Sequence, residues 1–149
     1  MMNSLRAILF GGFLCALLDG VCVNVLFASK GIYPLQMWQT VASSVLGRTA
    51  FQRGRVSGSL GVALHCLVAV SAATLFALAI RFAPSVMDHY LVGGAAFGVL
   101  FFFLMNLIVI PLSAMPKRPF NVQIFLIQLG IHILLVGLPI ALSARWLLD

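Results

Sequence analysis

The sequence predicts an all-α, polytopic membrane protein: a four-transmembrane-helix bundle with one short interfacial or re-entrant helix, in a single domain over residues 1–149. Three observations carry that expectation. Of 149 residues, 62% are hydrophobic and only 8% charged, and the mean hydropathy is +1.14. A soluble domain is about 25% charged, so this chain cannot clothe a water-facing surface. Four apolar runs reach the ~20 residues needed to cross a hydrocarbon core. Most of the basic residues and most of the prolines fall outside those runs rather than within them. Soluble globular, disordered and coiled-coil classes are excluded together.

The first span is expected over residues 5–28. Arg6 before the apolar run looks like a signal-peptide start, but Asp19 interrupts the run and no small-x-small cleavage site follows near Phe27–Ser29, so it is read as a retained helix. The connection after it, 29–55, holds its own pattern. Leu35, Trp38, Val41, Ala42, Val45 and Leu46 recur at helical spacing, with Gln36, Gln39, Ser43 and Ser44 between them. Pro34 suits a helix start and Gly47 a stop. A helix over 34–47 is too short to span. It is expected at the interface or dipping into the bundle, with Trp38 at headgroup level.

The second span is expected over 56–79, the third over 90–110 and the fourth over 122–142. Pro84 lies in the short second connection, where it cannot continue a helix. Pro111, Pro116 and Pro119 flank Lys117 and Arg118 in the third. The loop-rich side carries Lys30, Arg48, Arg53, Arg55, Lys117 and Arg118, against Arg6, Arg81 and Arg145 on the side of the termini. The positive-inside rule then favours periplasmic termini. The net charge of +6 is scattered between apolar runs with no basic stripe, so it reads as topology signal and lipid contact, not as a nucleic-acid surface.

Cys15, Cys22 and Cys66 lie in apolar segments without metal-type spacing and read as small filler. Small residues mark helix interfaces in lipid: Gly12, Ala16 and Gly20 in the first span; Gly54, Gly58, Gly61, Ala69 and Ala72 in the second; Gly94 and Gly98 in the third. Each span also carries a deep polar residue: Asp19, His65, Asn106 and His132. They lie roughly 9, 9, 7 and 11 residues from the loop-rich side, which at 1.5 Å per residue is about 10–17 Å deep. In the fourth span Asn121, Gln128, His132, Pro139 and Ser143 fall on one face at 100° per residue. The expectation is that Asp19, His65, Asn106 and His132, with Gln128 nearby, converge on one buried site. A lone carboxylate at such depth must be protonated, paired or hydrated.

The first reading of that cluster is a structural hydrogen-bond network that fixes helix register. The alternative is binding or conduction of a proton, ion or small solute, with the Asn121–Gln128–His132 stripe as a polar path. A chain this small, without an internal repeat, would then need a homo-oligomer or a partner membrane subunit. No cofactor is expected. A further alternative is a b-type haem between His65 and His132, or a divalent metal held by His65, His132 and Asp19. No catalytic residue is assigned. The chain has no glutamate and one deep carboxylate, and no serine stands beside either deep histidine as a nucleophile, which argues against an enzyme. His89 lies at a span edge, where a solvated role is expected.

The segment Val41-Ala-Ser-Ser-Val-Leu-Gly47 with Ala50-Phe51, Gly54, Gly61 and His65 carries a resemblance. So do Met105-Asn106, Pro111-Leu-Ser-Ala114, Arg118-Pro119-Phe120, His132 and Gly137-Leu-Pro139. Together they resemble a group of small uncharacterised bacterial inner-membrane proteins with four predicted spans. The resemblance covers most of residues 19–139 and implies a bacterial cytoplasmic-membrane location. It brings no activity.

Overall fold

The structure, a computed structural model, describes residues 2–117 and 119–148. Among these there is helix and no strand. Helix α1 covers Met2–Ala28, α2 Pro34–Leu46 and α3 Gly54–Phe82. Helix α4 covers Tyr90–Leu112 and α5 Val122–Leu147. Four of these, all but α2, are long and apolar enough to cross a membrane. The protein is a multi-pass helical membrane protein.

The helix ends follow the local chemistry. Pro34 opens α2, and Gly47 closes it at φ 58°, a left-handed backbone that glycine adopts without steric cost. A short 3-10 turn, Gly47–Gln52, then leads into α3. At the start of α5 the Asn121 side chain accepts a hydrogen bond from the Ile124 amide at 3.0 Å, an ordinary N-cap. Asn121 is exposed and spent on that cap.

Helix α1 lies between α3 and α5, α5 packs on α4, and α2 lies along α3. The interior is built from Cys15, Ala16, Ala69, Ala72, Ala73, Phe76, Phe101, Val136, Ile140, Ala141 and Ala144. Most are small, which is how helices in lipid gain close contact. Phe76 of α3 meets Phe97 of α4 edge to face, centroids 5.1 Å apart, and closes the ring of helices.

Three glycine seams fix the packing. A Cβ at Gly12 would meet the Val70 Cα at 2.9 Å, joining α1 to α3. One at Gly61 would collide with the Trp38 carbonyl, so the α2 backbone rests on α3. One at Gly137 would collide with the Gly94 carbonyl, and one at Gly98 would meet the His132 oxygen at 2.5 Å. Helices α4 and α5 therefore cross backbone to backbone.

Both of these helices contain a π segment that α-helical periodicity does not anticipate: Met105–Val109 in α4 and His132–Gly137 in α5. Each runs up to a proline, Pro111 and Pro139. A proline lacks an N–H and crowds the carbonyl four residues before it. Widening the preceding turn relieves that crowding.

Candidate functional site

Of the four deep polar residues, two meet across helices. The His65 Nε2 of α3 stands 3.8 Å from the Asp19 Oδ2 of α1, with each side chain 17% exposed. The same nitrogen lies 2.9 Å from the Ala16 carbonyl oxygen. A carbonyl only accepts, so Nε2 carries the hydrogen and donates it to Ala16. Asp19 accepts no hydrogen bond from any described residue; its partner is the imidazole at ion-pair distance. The carboxylate also lies within electrostatic range of His132 on α5.

His132 itself is held by its own helix. Its Nδ1 lies 2.8 Å from the Gln128 carbonyl, and its ring packs against Phe102 edge to face, centroids 5.3 Å apart. Gln128 thus contributes its backbone oxygen. Asn106 likewise turns back on α4, with Nδ2 donating to the Phe102 carbonyl at 2.9 Å. Both bonds fall at the entry of a π segment. There the backbone pairing changes register, and a side-chain donor reinforces the entry carbonyl. Asp19 and His65 are thus brought together, while His132 and Asn106 each bond along their own helix.

Two neighbours of the pair, and a polar residue one turn further along α1, were not among the sequence candidates. Trp38, expected at headgroup level, turns inward and packs on the His65 ring, centroids 5.3 Å apart. The reason is the Gly61 contact, which lays α2 directly on α3. A Cβ at Gly20 would come within 3.4 Å of both His65 Nε2 and the Trp38 ring, so Gly20 leaves room for the two rings against α1. Asn24, a turn beyond Gly20, donates Nδ2 to the Gly20 carbonyl at 2.7 Å, while its buried Oδ1 has no hydrogen-bond partner among the described residues. Its signal in the sequence is a polar residue five positions after Asp19 within one apolar run.

Helix α2 is fastened at its middle and near its C-terminal end, and the turn after it is pinned to α3. Gln39 Nε2 donates to the Gly54 carbonyl at 3.1 Å, and the fully buried Ser57 donates to the Ala50 carbonyl at 2.6 Å. The Ala114 amide donates to the Ser44 carbonyl at 2.8 Å, which ties α2 to the third connection. Pro34–Leu46 is thereby set over the Asp19–His65 pair from the loop-rich side.

Among the described residues no three His, Cys, Asp or Glu side chains gather as metal ligands. The cysteines are free thiols. His89, at the span edge, is exposed. No family model, no curated protein and no solved structure matches the chain.

Proposed function

We propose that this is a multi-pass protein of the bacterial cytoplasmic membrane whose Asp19–His65 pair takes up and releases a proton or a small cation. The termini face the periplasm and α2 lies at the cytoplasmic interface, dipping toward the pair. The six-to-three distribution of Lys and Arg supports that orientation. The observation that carries the functional reading is the 3.8 Å approach of a carboxylate to an imidazole on a separate helix, with no hydrogen-bond donor on the carboxylate among the described residues.

The chemistry follows from the donor count. With Nε2–H committed to Ala16, a neutral His65 has nothing to give Asp19. The pair is compatible with its low-dielectric surroundings when one proton is shared. Held on Asp19, it leaves both groups neutral; held on the His65 Nδ1, it makes them an ion pair. The Nε2 that faces Asp19 at 3.8 Å keeps its bond to Ala16 in both states, so the proton reaches Nδ1 through a carrier such as water rather than by direct transfer.

The test is reconstitution. In liposomes under an imposed pH or cation gradient, the wild-type chain is expected to carry protons or monovalent cations. Asp19→Asn is expected to abolish the flux while the helical circular dichroism is kept. Flux that survives Asp19→Asn, or a wild type that neither conducts nor takes up a proton, overturns the proposal. A second reading, a purely structural pin, rests on the His65–Ala16 bond between α3 and α1. It predicts no flux and a loss of stability in His65→Ala near the ~0.6 kcal/mol average for polar contacts in membrane bundles.

A further inference from the structure

At the opposite end of the bundle, α1 and α5 close tightly where a Cβ on Gly11 would meet the Ser143 Cβ at 3.2 Å. Beside that contact they part. The resulting cleft, about 540 Å³, is lined by Phe10, Leu14, Leu142, Ser143, Arg145 and Trp146. The Ser143 hydroxyl is turned away, donating to the Pro139 carbonyl at 2.7 Å, so the cleft is apolar except at its mouth. There stand the Arg145 guanidinium and Trp146, whose ring meets Phe10 at 6.5 Å and is otherwise 78% exposed. Arg6 is one turn from Phe10 on the same side of α1. Arg145 also borders a second cleft of about 450 Å³ with Met87, Asp88 and Tyr90.

We infer that these two clefts form one binding site for an amine-bearing phospholipid: acyl chain between α1 and α5, phosphate at Arg145, ammonium at Asp88. An apolar cleft of this size that opens to hydrocarbon is filled by chain, not by water. A tryptophan at the mouth marks headgroup level. Arg145 is already engaged within the protein, but a guanidinium has five N–H donors in a fixed fork and suits phosphate oxygens. Asp88 decides the headgroup. A carboxylate beside the phosphate position repels a headgroup with net negative charge and attracts a primary ammonium, which can also donate to it. A quaternary ammonium has no N–H to donate.

The experiment uses the full chain equilibrated in detergent with equal amounts of phosphatidylethanolamine, phosphatidylglycerol and phosphatidylcholine of matched chains, followed by native mass spectrometry. The ethanolamine lipid is expected to dominate the retained adducts. Arg145→Ala should lower its retention about tenfold, the scale of one charge-assisted hydrogen bond. Asp88→Asn should erase the preference while leaving total lipid retention in place. Leu14→Trp, which fills the cleft without touching a charge, should remove all three adducts. Equal retention of the three lipids by the wild type, or unchanged retention in Leu14→Trp, overturns the assignment. Asp88→Asn and Leu14→Trp alter different properties at different places, the turn before α4 and the middle of α1, so a folding defect in one leaves the other decisive.

Discussion

Substituting Gly98 by alanine tests the backbone crossing that holds α5, and with it His132, in place. The added Cβ would lie 2.5 Å from the His132 carbonyl oxygen and 2.8 Å from the Ile133 Cα. Ordinary van der Waals contact begins at 3.4 Å, so the two helices must part by about 0.9 Å, and both obstacles are backbone that no rotamer change can move. A gap of ~0.5–1 Å forfeits a quarter to a half of each dispersion contact, worth ~0.1–0.2 kcal/mol apiece. Over the ~40–60 contacts of a side-chain-sized patch the loss comes to about 1–6 kcal/mol. Measured overpacking penalties of ~1–3 kcal/mol place the expected value near the lower half of that range. Gly130 on the same helix pair is the control, because a Cβ there meets nothing within 4 Å. Gly130→Ala should gain the ~0.5–1 kcal/mol of a helix-interior glycine replaced by alanine. Equilibrium unfolding in mixed micelles, followed by circular dichroism, reads both. If Gly98→Ala unfolds within ~0.5 kcal/mol of the wild type, or Gly130→Ala is the more damaging of the two, the close crossing of α4 and α5 is wrong.

Gly61→Ala drives a Cβ into the Trp38 carbonyl and should lift α2 from α3; a red shift of Trp38 emission in a Trp146→Phe background reads the release, and an unshifted spectrum refutes the contact. Asn106→Leu removes the donor to Phe102 O and should cost about 0.5–1.5 kcal/mol in the same unfolding assay. Because that bond is local to α4, the flux expected of the Asp19–His65 pair should be unchanged in Asn106→Leu, and a flux lost there would place Asn106 in the conducting site.

The helix content and the number of crossings are legible in the sequence because the bilayer leaves so little choice. A backbone in hydrocarbon must satisfy its own hydrogen bonds, so an apolar run of sufficient length has one outcome. The glycines of the interfaces are legible for a related reason: without a hydrophobic drive between helices, only close approach remains. Gly12, Gly61, Gly94 and Gly98 all sit where two backbones meet. The inward turn of Trp38 was not legible. An indole at the edge of an apolar run suits headgroup level, and only the partner of Gly61 decides that its ring packs on His65.

The partners of the polar residues escape sequence reasoning for two physical reasons. Depth is additive along a helix, so Asp19, His65, Asn106 and His132 can be placed at similar levels by counting. Contact is not, because a polar side chain in a helix always has a second suitor, the carbonyl four residues behind it. Asn106 and His132 bond to that carbonyl, whereas His65 reaches the carbonyl of another helix. Nothing in the residue type distinguishes the two outcomes. The faces add a further difficulty. Counting 100° per residue through His132, Pro139 and Ser143 assumes one unbroken α-helix, but the π segment over His132–Gly137 adds a residue within its turn and rotates everything beyond it by about 100°. Residues counted onto one stripe then separate: His132 packs on Phe102 of α4, while Ser143 faces Gly11 of α1. The proline that makes the π segment necessary is therefore the sequence signal to use. Where Pro111 or Pro139 follows a deep polar residue within two turns, the phase of the helix should be reset before its faces are assigned.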